Sequence, residues 1–402
     1  MTNIPPAFSP ETQPGPVPQP VGVRSLRELI EHVAGRGLGP LGDLGDAGVA
    51  ETLPFPFLAI VGQLEMKLAL LLALVNPAVG GVLLIGPRGA GKTTAVRSLV
   101  DLLPQSPRSL CYYGCTAEDI ETGGIDAVCP DCARKYAQGE PLTRSDRVRL
   151  VELPLNARLE DVVGGLDERA AVHEHIRLRR GILAQADRNL LYVDEVNLLT
   201  DEVVDAILDA AAQGIYTVRR GPVSATYRAR FVLIGSMNPE EGKLRPQIMD
   251  RFGLRVIVRG LASPQDRLEA YRRVQAYLTQ PRQVVLDYNL DSAQALADIQ
   301  AARDQLPKVI LSNPVADLGL ALVQQLKIDS LRAEITMFEA ARAYAAIDGR
   351  DEVIPTDLWE VAPMALRLRR STFMADFFTQ QGVEEAELAT IMNQFLGKPP
   401  EK

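Results

Sequence analysis

A glycine-rich stretch with one lysine is the segment of this sequence best suited to bind phosphate groups. Residues 86–93 read GPRGAGKT and fit the pattern G-x-x-x-x-G-K-[ST], after an apolar run and before a run with helical spacing. Glycines let backbone N–H groups surround phosphate oxygens at a helix N-terminus, whereas a plain glycine-rich turn would not need this context. The lysine neutralises phosphate charge, and the hydroxyl that follows it ligates Mg²⁺. The predicted nucleotide-binding residues are Gly86, Pro87, Arg88, Gly89, Ala90, Gly91, Lys92, Thr93 and Thr94, with Thr93 as a Mg²⁺ ligand.

Two adjacent carboxylates end a second apolar run. The segment 190–195 reads LLYVDE, and its last two residues are Asp194 and Glu195. Lone acidic pairs are usually solvated, but a pair at the carboxyl end of a buried strand lies where open α/β sheets bind ligands. We predict that Asp194 completes the Mg²⁺ site of bound ATP and that Glu195 activates the attacking water. With the phosphate loop, this pair predicts ATP hydrolysis.

One asparagine and two arginines are further candidates for the same reaction. Asn238 ends the apolar run 229–238 and can position the attacking water, although an Asn-Pro pair is also typical of a plain turn. Arg251 ends a predicted helix, from which its guanidinium can reach the γ-phosphate of a neighbouring subunit. Arg332 opens a later helix and is the second arginine candidate. Because most arginines are solvated surface residues, their positions alone leave both assignments open.

All four cysteines lie in one segment, with the spacing C-x3-C-x13-C-x2-C. This spacing resembles a four-thiolate zinc site, although the first pair is one residue wider than the commonest zinc knuckle. A redox-switched disulfide and inert thiols are the alternatives. The candidate Zn²⁺ ligands are Cys111, Cys115, Cys129 and Cys132.

The elements that must position these residues form an α/β pattern followed by a helical one. Short runs rich in Val, Ile and Leu alternate with helical stretches, which indicates a parallel sheet covered on both faces. The predicted strands are residues 81–86, 148–154, 189–195, 229–238 and 254–260. The predicted organisation is an N-terminal Pro/Gly-rich tail with a short helix (1–52), an ATPase core (53–260) with a Cys-rich insert (about 105–145) and a hairpin insert (about 215–228), a linker helix (261–283), a helical lid (284–372) and a C-terminal helical tail (373–402).

Composition and charge exclude several classes of protein. The 402 residues carry a net charge of −8, which argues against a broad surface for DNA or RNA. The sequence has no uncharged apolar run of about 18 residues, so we expect no membrane span. Its N-terminus lacks the basic and apolar regions of a secretory signal, and we expect a cytoplasmic protein.

Several segments, in the same order along the chain, resemble the ATPase (I) subunit of magnesium chelatase, an AAA+ family. They include LLIGPRGAGKTTAVRSLV, ELPLNARLEDVVGGLD, LLYVDEVNLLTDEVVDAILDAAAQG, GSMNPEEGKLRPQIMDRFGL and SLRAEITMFEAARAYAAIDGRDEVIP. The resemblance covers about residues 53–372 and implies an AAA+ P-loop αβα core followed by a C-terminal α-helical lid. It also implies a hexameric ring with ATP between subunits.

The resemblance further implies roles for named residues and partners. Walker A falls on residues 86–93, Walker B on Asp194 and Glu195, sensor 1 on Asn238, the arginine finger on Arg251 and the sensor-2 arginine on Arg332. In this family the lid is displaced, which leaves open whose nucleotide Arg332 contacts. The implied partners are a D-type AAA+ subunit and a large porphyrin-binding H-type subunit, which inserts Mg²⁺ into protoporphyrin IX for chlorophyll or bacteriochlorophyll synthesis.

Two other functions stay open at the level of sequence. The chain could drive a cobalt chelatase or the maturation of another metalloenzyme, because the metal and the tetrapyrrole are selected by another subunit. It could also be a regulatory scaffold that binds ATP without turnover. Intact Glu195, Asn238 and Arg251 argue against such a scaffold.

Overall fold

The computed structural model describes residues 53–166, 178–221, 223–242 and 244–370. The predicted N-terminal tail with its short helix (1–52) and the predicted C-terminal tail (373–402) lie outside these residues. The strands are β1 (Val82–Ile85), β2 (Gln105–Ser109), β3 (Thr143–Arg147), β4 (Leu150–Leu153), β5 (Gly164–Leu166), β6 (Leu178–Arg180), β7 (Leu190–Val193), β8 (Ile215–Arg220), β9 (Val223–Arg228), β10 (Val232–Met237) and β11 (Leu254–Ile257).

The α-helices of the same residues surround and follow these strands. They are α1 (Leu64–Val75), α2 (Lys92–Ser98), α3 (Ala117–Gly123), α4 (Pro130–Ala137), α5 (Leu159–Val163), α6 (Ile182–Gln185), α7 (Asp201–Gln213), α8 (Pro246–Arg251), α9 (Pro264–Thr279), α10 (Pro281–Asp287), α11 (Asn289–Gln305), α12 (Asn313–Gln325), α13 (Leu331–Ile347) and α14 (Pro355–Leu366). None of them is long and apolar enough to cross a membrane.

A five-stranded parallel sheet, in the order β11-β1-β10-β7-β4, forms the centre of the core. Each strand corresponds to one of the five apolar runs in the sequence, and the predicted α/β class is confirmed. Along β1, Val82 and Leu84 face one apolar cluster, whereas Leu83 and Ile85 face another. Because side chains alternate along a strand, a fully apolar run of this kind is stable only when both faces of the sheet are covered.

The C-terminal helices pack on one of these two clusters. Helix α13 contributes buried alanines, among them Ala333, Ala340 and Ala341, to the same core as Leu84 of β1. Small side chains let this helix approach its neighbours closely, and it packs along α14. The helical C-terminal region is therefore confirmed. The predicted boundaries at 260, 283 and 372 remain predictions.

Two antiparallel hairpins project from the core in the predicted insert regions. Strands β2 and β3 pair across the cysteine segment, with Gln105 opposite Arg147. Strands β8 and β9 pair between α7 and β10, with Ile215 opposite Arg228. The β8–β9 pair leads directly into β10, which is followed by Asn238, whereas the β2–β3 pair leads into β4.

Candidate functional site

The phosphate loop joins β1 to α2 and turns through two glycines. Gly89 and Gly91 have φ values of 74° and 85°, a region that side chains other than glycine rarely adopt. Gly86 has a different constraint, because a Cβ there would lie 2.2 Å from the carbonyl oxygen of Val258. The sequence GPRGAGKT therefore needs its glycines for backbone geometry, and the turn leaves the first N–H groups of α2 at the mouth of the loop.

Lys92 is held against this loop by hydrogen bonds. Its Nζ donates to the carbonyl oxygens of Gly86 at 2.7 Å and of Pro87 at 2.8 Å, and the side chain is buried. Burial lowers the pKa of Lys92, and the nearby carboxylates of Asp194 and Glu195 oppose this shift. The ammonium group is thus fixed where phosphate charge would enter the loop.

Thr93 and Asp194, the two predicted Mg²⁺ ligands, lie side by side at the carboxyl end of β7. Thr93 Oγ1 lies 3.2 Å from Asp194 Oδ2, and the hydroxyl of Tyr192 donates to Asp194 Oδ1 at 2.8 Å. Ser236 on β10 also donates to Asp194 Oδ1. A hydroxyl and a carboxylate next to bound phosphates suit Mg²⁺, which binds proteins through few oxygen ligands and completes its shell with phosphate and water.

Glu195 adopts an uncommon backbone conformation at this edge. Its φ of 49° is left-handed, and its N–H donates to Ser236 Oγ at 2.9 Å. Strained backbone of this kind is concentrated at functional sites, where surrounding contacts enforce it. The Arg88 guanidinium lies 4.0 Å from the Glu195 carboxylate and pairs with Glu241. Glu195 therefore projects into the space over the phosphate loop.

These residues surround one cleft of about 280 Å³. The cleft brings together ten of the predicted site residues and lies at the carboxyl ends of β1, β7 and β10, where the buried Asn238 follows β10. Ser236 and Tyr192 were not predicted. The signal for Tyr192 was its position two residues before Asp194, which places both side chains on one face of the strand. The cleft is lined by Arg88, Gly89, Ala90, Gly91, Lys92, Thr93, Thr94, Asp194, Glu195, Ser236 and Asn238.

The two predicted arginines lie at a different surface. Arg251 and Arg332 both line a second cleft, of about 340 Å³, which shares no lining residue with the first. Arg251 pairs with Asp209 of α7, and the Arg332 guanidinium lies 4.0 Å from Asp250. The structure therefore brings the two arginines together and keeps both away from the phosphate loop of their own chain.

Asp250, directly before Arg251, joins the lid to this surface and was not predicted. Its Oδ1 accepts a hydrogen bond from Arg369 at 2.8 Å, from the buried Arg255 at 3.4 Å and from Ser330 at 3.2 Å. Burial lowers the pKa of Arg255 to about 10 and lowers that of Arg369 as well. Ser330 precedes α13 and Arg369 follows α14, so one carboxylate holds both ends of this helix pair beside Arg251.

The four cysteines form a compact group away from the phosphate loop. Their sulfur atoms all lie within 4.8 Å of one another, and none is in a disulfide. A hydrogen bond from the Cys115 thiol and one from the Tyr113 N–H lower the pKa of Cys111 to about 4. The structure thus brings together all four predicted thiol ligands.

Comparison with protein-family models and with named proteins gives consistent matches. An AAA domain matches residues 79–241, and an AAA lid domain matches residues 320–391. The magnesium-chelatase subunit ChlI homolog of Methanocaldococcus jannaschii is 40% identical over 334 residues, or 82% of this chain and 90% of that protein. The magnesium-chelatase 38 kDa subunit of Acidiphilium rubrum is 42% identical over 78% of this chain and 90% of that protein. The chloroplastic magnesium-chelatase subunit ChlI of Nicotiana tabacum is 41% identical over 78% of this chain and 74% of that protein.

Solved structures give two further likenesses. A chain from a complex of magnesium-chelatase subunits BchI and BchD is 39% identical and covers 80% of this chain and 98% of its own length, with a TM-score of 0.44. The crystal structure of an ATPase from Cytophaga hutchinsonii is 19% identical and covers 82% of this chain and 90% of its own length, with a TM-score of 0.51. The second likeness concerns the fold alone.

Proposed function

This chain belongs to the family of magnesium-chelatase I subunits, which are AAA+ ATPases, and we propose that its ATP hydrolysis drives insertion of Mg²⁺ into protoporphyrin IX by a partner protein. The observation that carries the proposal is the convergence of Lys92, Thr93, Asp194, Glu195 and Asn238 on one cleft beside the phosphate loop. These are the groups that ATP hydrolysis needs for charge neutralisation, metal ligation and water activation.

Each residue of the cleft has a distinct task in hydrolysis. Backbone N–H groups of the loop and Lys92 hold the phosphates, while Thr93 and Asp194 hold Mg²⁺. The bound Mg²⁺ neutralises charge on the phosphate oxygens. Glu195 accepts a proton from the attacking water, and Asn238 orients that water by a hydrogen bond from its amide. Ser236 holds both Asp194 and Glu195 in position, because its hydroxyl donates to the Asp194 carboxylate and accepts the N–H of Glu195.

The arginines complete the site of a neighbouring copy. Arg251 lines a cleft separate from its own phosphate loop, so its guanidinium is available to the γ-phosphate held by the next subunit. Arg332 lines the same cleft as Arg251. Hydrolysis then requires a ring, for which a hexamer is the form expected in this family. Closure of the site at a junction also couples each hydrolysis event to movement between subunits.

Metal insertion itself takes place on other proteins in this proposal. Mg²⁺ gives up its water reluctantly, so insertion into a macrocycle requires work that hydrolysis can supply. The partners are a D-type AAA+ subunit and a large H-type subunit that binds the porphyrin, acting in chlorophyll or bacteriochlorophyll synthesis in the cytoplasm. Zn²⁺ at the four cysteines has no part in this reaction and is proposed separately as a structural ion.

Reconstitution with the two partner subunits tests this function. With ATP, Mg²⁺ and protoporphyrin IX, the complete mixture should form fluorescent Mg-protoporphyrin, and Lys92→Ala should abolish its formation. Exposed Asp317→Asn on α12 serves as the matched surface control and should retain activity. Failure to form the magnesium product, together with formation of a cobalt product from Co²⁺ and a corrin precursor, would overturn the assignment in favour of a cobalt chelatase.

A further inference from the structure

The cysteine insert has almost no hydrophobic core of its own. Between β2 and β3, its buried apolar residues are Cys115, Cys132 and Leu142, with Ile120 and Val128 packed beside them. Segments that bury so little apolar surface usually need a disulfide or a metal ion to hold one conformation. The insert nevertheless contains the helices α3 and α4, and α4 carries Cys132. A cross-link through the four sulfur atoms would stabilise this small insert.

The arrangement of the sulfur atoms fits a metal better than a disulfide. With Zn–S bonds of about 2.3 Å, tetrahedral geometry places the sulfurs about 3.8 Å apart. Here the Sγ atoms of Cys111 and Cys129 are 3.5 Å apart, and all four lie within 4.8 Å of one another. Two backbone N–H groups also point at sulfur: Tyr113 donates to Cys111 at 3.3 Å, and Cys129 donates to Cys115 at 3.4 Å. Outer hydrogen bonds of this kind stabilise metal-bound thiolates.

The insert contacts the core next to the start of β10. Arg230, two residues before β10, donates to the carbonyl oxygen of Gly114 at 2.9 Å and to Asp119 Oδ1 at 3.0 Å. Arg228 donates to the carbonyl oxygen of Ala127 at 2.7 Å. Gly114 directly precedes a cysteine ligand, has a φ of 83°, and a Cβ there would lie 2.9 Å from the Cβ of Arg228. The metal-binding turn is therefore packed closely against the segment that enters β10.

The insert and Arg230 also contact the segment that enters β7. Asp187, three residues before β7, accepts hydrogen bonds from the Arg230 N–H at 2.9 Å and from its Nε at 3.2 Å. Arg188 pairs with Glu118 of α3 at 2.6 Å. Because β7 ends at Asp194 and β10 ends at Asn238, both strands are held by the insert at one end and form the ATP cleft at the other.

We propose that Cys111, Cys115, Cys129 and Cys132 bind one structural Zn²⁺, and that the insert closed by this ion braces the starts of β7 and β10. The ion takes the place of an apolar core in the insert. Asp119 and Gly114 then hold Arg230 before β10, and Glu118 holds Arg188 before β7. Zinc loading thus keeps the two strands that carry Asp194 and Asn238 in place. Zinc binding at this site does not depend on which metal the protein's partners insert.

Metal analysis of the purified full-length protein tests the ion. We expect about one Zn²⁺ per chain, and tetrahedral thiolate bands in the visible spectrum after exchange for Co²⁺. Cys129→Ser should lose the metal, whereas Glu121→Gln, an exposed change on α3, should retain it. Less than about 0.2 Zn²⁺ per chain in the wild-type protein, with four titratable thiols or with the cysteines paired in disulfides, would overturn the zinc site. Because this measurement uses the wild-type protein, it stands even where a cysteine variant fails to fold.

Hydrogen–deuterium exchange tests the brace. Removal of the zinc by a chelator should speed exchange in segments 187–193 and 229–237 by roughly tenfold or more, while α13 keeps its protection. Readdition of Zn²⁺ should restore the slow rates. Unchanged exchange in both segments after complete zinc loss would show that the insert does not brace the two strands. ATPase activity of the untreated protein, measured in parallel, tests the hydrolysis assignment independently.

Discussion

Thr93 Oγ1 lies 3.2 Å from Asp194 Oδ2, so the first turn of α2 and the carboxyl end of β7 meet at a single point. The two residues are separated by 101 positions in the sequence. Their contact converts a phosphate-binding loop into a candidate Mg²⁺ site, because a hydroxyl and a carboxylate now face the same small volume. ATP hydrolysis should therefore depend on this contact and on the residues that hold it.

Removal of the Thr93 hydroxyl should weaken the response to Mg²⁺. Thr93→Val keeps the shape of the side chain, and we expect the Mg²⁺ concentration for half-maximal ATPase activity to rise by roughly tenfold or more. Thr94→Val is the matched comparison, since the next residue on α2 carries the same hydroxyl but lies outside the contact with Asp194. Titration of ATPase activity with Mg²⁺ measures both. Equal shifts in the two variants would contradict the role of Thr93.

Replacing Ser236 should lower both the ATPase rate and the stability of the protein. The Ser236 hydroxyl donates to Asp194 and accepts the N–H of Glu195, so Ser236→Ala leaves that strained backbone without its acceptor. We expect kcat to fall by roughly tenfold and the free energy of unfolding to fall by about 1 kcal/mol. Tyr192→Phe removes only a bond to Asp194 and its contact with Thr93, and should lower kcat less. Steady-state kinetics with urea unfolding measures both effects, and unchanged kcat in Ser236→Ala would contradict this role.

Neutralising Asp250 should loosen the lid. Asp250→Asn keeps the size of the side chain but leaves Arg255 and Arg369 facing an amide instead of a carboxylate. Removing one partner of a fully buried ion pair lowers the free energy of unfolding by about 3–5 kcal/mol. Because Asp250 is partly exposed, we expect a smaller loss of about 1–3 kcal/mol. Urea unfolding measures the loss against Asp317→Asn, for which we expect less than about 0.5 kcal/mol. Equal stabilities of the two variants would show that Asp250 does not hold the helix pair.

Two inactive variants should restore activity when they are mixed. If Arg251 acts on the nucleotide of its neighbour, Arg251→Ala supplies an intact phosphate loop and Lys92→Ala supplies an intact arginine at the same junction. About a quarter of the junctions in a randomly mixed ring then contain both groups. ATPase assays of 1:1 mixtures should therefore recover a clear fraction of the wild-type rate. A mixture of Arg251→Ala with the double variant Lys92→Ala/Arg251→Ala should recover none. If the mixture of the two single variants also recovers no activity, the action of Arg251 on the neighbouring nucleotide is contradicted.

The sequence was sufficient to predict the elements that carry the site. All five strands of the sheet lie within mainly apolar runs of the sequence. The residues that line the phosphate-loop cleft lie in the loop after β1, at the start of α2 and at the ends of β7 and β10. Such predictions succeed because strand, turn and helix signals are local, and parallel strands bring their carboxyl ends to one edge.

Contacts between distant segments were not predictable in this way. Arg369 meets Asp250 across 119 residues, and Arg230 meets Asp119 across 111, yet each residue has an ordinary polar type in its own segment. Ser236 lies within an apolar strand, where a lone serine has no distinctive pattern. Only packing brings such residues together, so their roles emerge from the structure alone.

Single-turnover hydrolysis by Glu195→Gln measures whether this carboxylate activates the attacking water. The variant should bind ATP and assemble as the wild-type protein does, because the amide keeps the shape of the side chain. Without a general base, we expect hydrolysis of bound ATP to slow by about 100-fold or more. Glu202→Gln, an exposed change on α7, should hydrolyse ATP at the wild-type rate. Hydrolysis by Glu195→Gln at the wild-type rate would contradict the assignment of Glu195 and, with it, the mechanism of this motor.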